Sequence, residues 1–243
     1  MARRHEYAQH FLRSPRLVAE LIGHSNIRKN DTVYDLGAGS GVITSVLAGR
    51  CKKVVAVEIE PKALFKLRQN LGHVDNVELI TRSILDLALP TEPYKIFANI
   101  PFNLSAGVVR QFTETDLPPR SMYLITQKQF ARKLVPGNDH FTSQLSAEIG
   151  PWFTARIRKP LRKTDFTPPP AVDTVLLEIK PRETPLLDHD AAADYRTFVG
   201  DCFGHQPTFA RTNRAGAGIS PEKRPSELTV EEWLRLFAIS RKV

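Results

Sequence analysis

A tetrapeptide with two hydrogen-bond acceptors and an aromatic ring follows an apolar run at residues 94–98, which predicts a buried strand. In Asn99-Ile100-Pro101-Phe102, the Asn99 Oδ1 and the Ile100 carbonyl can both accept hydrogen bonds from one exocyclic amino group. Pro101 stiffens the turn and offers no donor. Phe102 supplies a flat face for base stacking. We predict that these four residues are catalytic and that they bind an extruded adenine whose amino nitrogen is alkylated. The alternative is a strand-end turn with one buried aromatic residue.

A glycine loop indicates the cofactor. Asp35 precedes three glycines that lie between a predicted strand and a predicted helix, Gly37, Gly39 and Gly41. A dinucleotide site needs its third glycine one residue later, and the preceding carboxylate favours a ligand with an ammonium and a carboxylate group. Glu58 ends the next predicted strand, where its carboxylate can bind both hydroxyls of a ribose. Together with the tetrapeptide, this order predicts S-adenosyl-L-methionine beside an adenine.

The positive charge of the chain lies mainly in two segments. The net charge is +8 over 243 residues, with six Lys/Arg against two acids in residues 1–30 and eight against two in residues 128–163. Such a distribution is expected of a protein that meets phosphates along one surface, although a solvated surface of a basic protein is the alternative. The predicted RNA-binding residues are Arg3, Arg4, Lys128, Arg132, Lys133, Arg158, Lys159, Arg162 and Lys163.

Composition excludes several other classes of protein. The two cysteines, Cys51 and Cys202, make neither a disulfide framework nor a metal site, and the histidines are scattered, so we expect no metal. No apolar stretch approaches the roughly 18 residues of a membrane span, and none follows the N-terminal arginines as in a signal peptide. We therefore expect a cytoplasmic monomer without a membrane partner.

The elements that position these residues alternate between strands and helices up to residue 181. This alternation predicts an α/β fold with a mostly parallel sheet covered on both faces. Ser14 is expected to cap the first helix, and residues 152–158 and 174–179 to form a final antiparallel pair. Beyond Pro181 only helical spacing remains, at 191–203 and 230–239, with a capping box between Thr229 and Glu232. We expect a catalytic cofactor-binding domain at 1–181 and a small helical RNA-binding domain at 182–243.

Five segments together resemble the rRNA adenine N6-methyltransferases, namely residues 9–12, 35–41, 99–105, 166–173 and Glu58. The resemblance covers nearly the whole chain and implies a Rossmann-like methyltransferase domain with a small C-terminal helical domain. Ile-Pro-Phe after Asn99 and the segments 129–134 and 182–186 are similar to the erythromycin-resistance (Erm) branch, which modifies 23S rRNA. His10 is instead typical of the sister branch, the 16S rRNA adenine dimethyltransferases.

The resemblance implies roles for individual residues around the cofactor. His10 and Leu12 would close over it, largely through their backbone, while Gly37 and Gly39 would approach its methionine part. Glu58 would bind the ribose, and Asn99 would contact both the cofactor and the target adenine. Where the family usually places an Asp on the cofactor's adenine, this chain has Ser83, followed by Ile84. Asp86 is the alternative contact.

The resemblance also implies a function. The protein would methylate the N6 amino group of a specific adenine in 23S rRNA and confer macrolide-lincosamide-streptogramin B resistance. The alternative is a 16S rRNA adenine dimethyltransferase of ribosome biogenesis. A small-molecule or protein methyltransferase would share the glycine loop without needing the tetrapeptide or the basic segments. A non-catalytic nucleic-acid-binding relative, such as the mitochondrial transcription factors of this superfamily, could lack the hydrogen-bond acceptor. This chain retains that acceptor as Asn99.

Overall fold

Two sheets lie within residues 10–135 and 142–241, which are the residues that this computed structural model describes. Their strands are β1 (Phe11–Leu12), β2 (Thr32–Leu36), β3 (Lys53–Glu58), β4 (Val77–Thr81), β5 (Lys95–Asn99), β6 (Met122–Gln127), β7 (Phe153–Leu161), β8 (Phe166–Thr167) and β9 (Thr174–Pro181). The larger sheet has the order β4-β3-β2-β5-β6-β9-β7, and β1 pairs with β8 in a second, two-stranded sheet. Neighbours from β4 to β6 are parallel, whereas β9 is antiparallel to β6.

Helices follow most of these strands. They are α1 (Pro15–Gly23), α2 (Val42–Ala48), α3 (Pro61–Leu71), α4 (Ser105–Thr113), α5 (Lys128–Leu134), α6 (Gln144–Ile149), α7 (Ala192–Gly204), α8 (Gln206–Arg211) and α9 (Val230–Ser240). Helices that connect parallel strands cover the faces of the sheet, so the central strands become buried on both sides. In β5, Ile96, Phe97 and Ala98 are fully buried. The predicted α/β fold with a mostly parallel sheet is confirmed.

Two predicted helix caps differ in outcome. The capping box of α9 is present, because Thr229 N donates to Glu232 Oε2 at 2.9 Å and Glu232 N donates to Thr229 Oγ1 at 3.2 Å. Ser14 does occupy the N-cap position of α1, but its side chain makes no capping hydrogen bond. Its carbonyl accepts from Val18 N at 3.1 Å instead, so only the backbone of Ser14 caps the helix.

The chain divides into two compact units. One contains the residues up to Ala131 together with Ile157–Lys180, and the other contains Arg132–Arg156 together with the residues from Pro181 onward. Residues 132–156, which the sequence placed in the catalytic domain, thus group with the C-terminal helices. The physical reason is that α6 packs against α7 within the second unit, where the Tyr195 hydroxyl donates to the Ala147 carbonyl at 3.1 Å.

The second unit has an aromatic core of its own. Trp233 is fully buried, and the ring of Phe203 stacks on it with a centroid separation of 5.6 Å. Tyr195 meets Phe237 edge to face at 5.3 Å. No helix within the described part of the chain is both long and apolar enough to cross a membrane.

Candidate active site

The predicted catalytic residues lie at the edge of the sheet where the parallel strands end. Because β5, β2 and β3 are neighbours, their carboxyl ends bring Asn99, the glycine loop and Glu58 together. A cleft here contains about 400 Å³ of space that is open to solvent. It is lined by His10, Phe11, Gly37, Asn99, Ile100, Pro101 and Phe102. The structure therefore brings the tetrapeptide to the glycine loop.

The amide of Asn99 has a fixed orientation. Its Nδ2 donates to the His10 carbonyl at 2.6 Å. An amide has donors at one end and an acceptor at the other, so this bond assigns Oδ1 as the free end. No residue within 10–135 or 142–241 donates to Asn99 Oδ1. The predicted acceptor is thus available to a ligand in the cleft.

His10 connects three parts of the cleft. Besides accepting from Asn99, it makes a hydrogen bond between Nδ1 and the Pro168 carbonyl at 2.8 Å, in which Nδ1 must be the donor. Its ring lies 5.7 Å from the ring of Phe102, centroid to centroid, with a tilt of 31°. Pairing between β1 and β8, with Leu12 opposite Phe166, holds this segment in place. Leu12 is buried, and it also lines the neighbouring opening beside Gly37 and Asn99.

The glycine loop needs glycine for space as well as for backbone conformation. Gly39 has φ +58°, and a Cβ on it would lie only 2.9 Å from Cε1 of Phe11. Gly41 has φ +94°, and a Cβ there would lie 2.7 Å from both Leu67 and Leu71 of α3. Side chains are rarely tolerated at such angles, so both positions require glycine.

Glu58 is buried beneath the loop, and its carboxylate already accepts three backbone hydrogen bonds. Gly39 N donates to Oε2, while Ile59 N and Glu60 N donate to Oε1, each at 2.8 Å. A carboxylate has about four acceptor positions, so this arrangement leaves one of them open. Binding both ribose hydroxyls would require one backbone donor to be exchanged, and the ribose contact of Glu58 stays a prediction.

Asp35 is a fully buried carboxyl group at the end of β2. Its Oδ2 accepts from the Thr44 hydroxyl at 2.6 Å, whereas its Oδ1 is buried without a hydrogen-bond partner. Burial raises the pKa of Asp35 to about 7, and the charge of Glu58 raises it as well, against the Thr44 hydrogen bond. An unpaired buried oxygen of this kind fits a ligand that brings its own ammonium group.

Ile84 is the part of its loop that meets the glycines. Its Cδ1 lies 3.6 Å from the position of a Cβ on Gly37, and the side chain is buried. Ser83 is half-buried and immediately precedes the short 3₁₀ helix Ile84–Asp86, in which Asp86 is exposed. Whether Ser83 or Asp86 contacts the cofactor's adenine stays a prediction.

Most of the predicted RNA-binding side chains in the first unit already have a partner. Lys128 lies 3.7 Å from Asp173, Arg158 lies 3.8 Å from Glu178, Arg162 lies 3.6 Å from Asp165, Lys159 pairs with Glu20, and Lys163 donates to the Ala171 carbonyl at 2.6 Å. Arg132 and Lys133 are exposed in the second unit. Arg3 and Arg4 lie outside the described residues. The pair of Lys128 with Asp173 is exposed and therefore weak, whereas the partner of Arg158, Glu178, is buried. RNA binding by these side chains stays a prediction.

Sequence reasoning missed two residues of the site. Phe11 packs on Gly39 and lines both openings of the cleft, although the sequence pointed only to its neighbours His10 and Leu12. Strand alternation could have identified Phe11, because successive side chains of a strand point to opposite faces. Leu12 is buried, and Phe11 on the other face is 40% exposed. Thr44, which holds Asp35, carried no such signal. Within the described residues no group of three or more His, Cys, Asp or Glu side chains could hold a metal ion.

Comparison with known proteins defines the family. The family model for ribosomal RNA adenine dimethylase matches residues 1–238. A ribosomal RNA small subunit methyltransferase A from Dehalococcoides mccartyi is 29% identical over 94% of this chain and 85% of its own length. An rRNA adenine N-6-methyltransferase from Streptomyces fradiae is 32% identical over 99% of this chain and 79% of its own length. The crystal structure of the 23S rRNA methyltransferase ErmE superposes with a TM-score of 0.79 at 27% identity, covering 94% of this chain and 98% of the other.

The cofactor that this family implies, S-adenosyl-L-methionine, suits the residues that are present. Asp35 has an unpaired buried oxygen for an ammonium group, and a Cβ on Gly39 would collide with the ring of Phe11, which lines the cleft. Glu58 retains an open acceptor position at the end of β3. The chain therefore belongs to the ribosomal RNA adenine dimethylase family and is an S-adenosylmethionine-dependent rRNA adenine methyltransferase.

Proposed function

We propose that the protein methylates the N6 amino group of one adenine in 23S rRNA and thereby confers macrolide-lincosamide-streptogramin B resistance. The observation that carries the chemistry is the free Oδ1 of Asn99, which faces a ligand because Nδ2 is held by the His10 carbonyl. The choice of 23S rRNA is supported by Ile-Pro-Phe after Asn99 and by the similarity to ErmE, a 23S rRNA methyltransferase.

The proposed mechanism depends on placing acceptors around the target nitrogen. When bound, S-adenosylmethionine supplies an electrophilic methyl group. The adenine amino group is a poor nucleophile because its lone pair is delocalised into the ring. Hydrogen bonds from N6 to Asn99 Oδ1 and to the Ile100 carbonyl favour a pyramidal nitrogen, whose lone pair can attack in line. Transfer of the methyl group to N6 would leave a positive charge on that nitrogen, and one N6 proton would then leave to water. Positioning and electrostatics account for the acceleration.

Phe102 and His10 would hold the extruded base. The ring of Phe102 provides the stacking face, and the imidazole of His10 lies beside it at a fixed angle because Nδ1 is bonded to the Pro168 carbonyl. Pro101 keeps the turn rigid. His10, Leu12, Gly37, Gly39, Glu58 and Ile84 would surround the cofactor. In this proposal the unit that contains the cleft binds the cofactor, and the unit that contains the C-terminal helices binds RNA.

A second candidate is dimethylation of adenine in 16S rRNA. Two observations favour it. The first is His10, which is typical of that branch, and the second is the match to the small subunit methyltransferase of Dehalococcoides mccartyi at 29% identity. Both candidates use the same cleft and the same chemistry, so they differ only in which RNA presents its adenine.

Transfer of a radiolabelled methyl group from S-adenosylmethionine to protein-free 23S and 16S rRNA tests both. We expect incorporation into 23S rRNA at a single adenine, together with growth of an expressing strain in the presence of erythromycin. Incorporation confined to 16S rRNA would establish the second candidate. If neither RNA accepts methyl groups while the protein binds the cofactor, the proposed function is wrong.

A further inference from the structure

Helix α3 has an outward face on which an aromatic side chain lies among cations. Its buried residues are Ala63, Leu64, Leu67 and Leu71, which all point to one side of the helix. On the other side Phe65 is 62% exposed, the largest fraction for any large apolar side chain in the described chain. Lys62, Lys66 and Gln69 are exposed on this same side. The face therefore exposes an apolar ring without packing it against the protein.

The stability of the helix does not account for these lysines. Lys62 lies in the first turn, where the positive end of the helix dipole disfavours a cation. Lys62 and Lys66 are four residues apart, and like charges at that spacing repel each other. Residues 61–71 include no Asp or Glu, and the carboxylate of the N-cap residue Glu60 is bonded to Ala63 N rather than to either lysine. Neither ammonium group has a hydrogen-bond or ion-pair partner within residues 10–135 and 142–241.

These lysines differ from the cations that the sequence predicted to bind RNA. Arg158 and Lys159 on β7 each pair with a carboxylate, and Lys163 donates to a carbonyl. A phosphate that binds there must first displace a partner. On α3 a phosphate meets two lysines that are already free.

Helix α3 also lies directly against the cofactor loop. Leu67 and Leu71 pack so closely on Gly41 that a Cβ there would lie 2.7 Å away. Asn70 Nδ2 donates to the Ser40 carbonyl at 3.0 Å. Because a helix with its side chains is about 10–12 Å wide, the outward face of α3 is about one helix width from the glycine loop. An RNA that places an adenine in the cleft can reach this face with its neighbouring nucleotides.

We propose that the outward face of α3, made of Lys62, Phe65, Lys66 and Gln69, binds an unpaired segment of the substrate rRNA. A base of that segment stacks on Phe65, and the adjacent phosphates pair with Lys62 and Lys66. The free positive charges select a polyanion, and the exposed ring selects a polyanion with accessible bases. This inference rests on the proposed rRNA methylation, whose substrate contacts it extends beyond the cleft.

The test uses three variants and one matched control in the full chain. They are Lys62→Glu with Lys66→Glu, Phe65→Ala and Phe65→Trp, with Lys29→Glu combined with Lys52→Glu as the control. The control makes the same change of charge at exposed residues that precede β2 and β3, at the opposite edge of the sheet. Affinity for protein-free 23S and 16S rRNA and for ribosomal particles is measured over a salt series. The same variants are assayed for kcat and KM of methyl transfer and for affinity for S-adenosylhomocysteine.

We expect the double reversal on α3 to weaken RNA binding about tenfold or more and to lower the salt dependence of log Kd by roughly 1.5, because two phosphate contacts are lost. Phe65→Ala should weaken binding by about tenfold, and Phe65→Trp should retain it, because an indole still stacks. KM for RNA should rise while kcat and S-adenosylhomocysteine affinity stay unchanged.

Three outcomes would overturn the inference. The control could lose as much RNA affinity as the double reversal on α3, which would show that the loss follows from the net charge of the protein and not from a contact at α3. The α3 variants could bind both RNAs normally while the wild type methylates one of them, which would leave the proposed function intact. The defect could also arise only on ribosomal particles and not on protein-free RNA, which would make α3 a protein contact. If the wild type methylates neither RNA, the proposed function fails. The RNA affinities of the α3 variants and of the control then decide by themselves whether α3 binds RNA.

Discussion

Asn99→Ala tests the central assignment, because the amide of Asn99 has an observed structural contact and a proposed chemical role. Removing Oδ1 takes away an acceptor that acts mainly in the transition state, and losing one such group typically costs about 2.7–4 kcal/mol. We therefore expect kcat for methyl transfer to fall by about 10²–10³. Removing Nδ2 also breaks the 2.6 Å hydrogen bond to the His10 carbonyl, which contributes about 0.5–1.5 kcal/mol to folding. The melting temperature should fall by about 2–4 °C per kcal/mol lost.

The two effects can be separated by a matched control. Asn76→Ala makes the same substitution at an amide that donates to the carbonyls of Ala48 and Cys51, at 2.9 and 3.3 Å, before β4 begins. It should cost comparable stability and leave kcat unchanged. Asn99→Asp supplies a second comparison, since it keeps an acceptor but loses the donor to His10. Its kcat should fall between those of the wild type and Asn99→Ala.

The assay is single-turnover methyl transfer to rRNA at saturating S-adenosylmethionine, because under these conditions the chemical step is measured apart from product release. Calorimetric titration with S-adenosylhomocysteine checks that the cofactor still binds. Near-normal turnover by Asn99→Ala would refute the acceptor role of Oδ1. An equal loss of kcat in Asn76→Ala would assign the effect to stability.

Three further predictions concern the walls of the site. Phe102→Ala should lower methyl transfer by about tenfold or more through lost stacking, whereas Phe102→Tyr should be mild; equal activity of the two variants would contradict base stacking on this ring. Burial raises the pKa of Asp35 from 3.8 to about 7, so the folded protein holds that proton more tightly than the unfolded chain does. The free energy of unfolding should therefore fall as the pH rises from about 4 to 7, by up to about 4 kcal/mol. Urea unfolding at several pH values should show that Asp35→Asn flattens this dependence, and a wild type that gains stability relative to the variant over that range would refute it. Ser83→Asp should tighten S-adenosylmethionine binding by about tenfold in calorimetric titration and Asp86→Ala should change little, whereas a loss confined to Asp86→Ala would exchange the roles of the two residues.

Local patterns were sufficient for the parts of the fold that local physics determines. The run before Asn99 is buried because parallel strands are covered on both faces, and Thr229 caps α9 because a Glu lies three residues later. The meeting of the glycine loop with the tetrapeptide also followed, since carboxyl ends of parallel strands share one edge. These inferences needed only spacing and residue type.

Contacts between distant segments were beyond such patterns. The hydrogen bond from Asn99 to His10 joins residues 89 apart, and the bond from His10 to Pro168 joins residues 158 apart. The pairing of β1 with β8 involves only two residues of each strand, which is too short for periodicity to register. Similarly, the grouping of residues 132–156 with the C-terminal helices depends on packing between α6 and α7.

The residue type at position 99 follows from the combination of these two levels. The strand end fixes where the side chain begins, and the His10 carbonyl requires a donor at one end of it. The proposed chemistry requires an acceptor at the other end, because the hydrogens of the target amino group must be bound by acceptors while its lone pair attacks. Aspartate has no donor for the carbonyl, serine and threonine are too short to span both positions, and glutamine would carry the acceptor one methylene further into the cleft. Asparagine satisfies both demands with a single planar group. In our proposal the hydrogen bond to the His10 carbonyl also orients the acceptor oxygen of Asn99, so any change that displaces His10 should lower kcat even when Asn99 is intact.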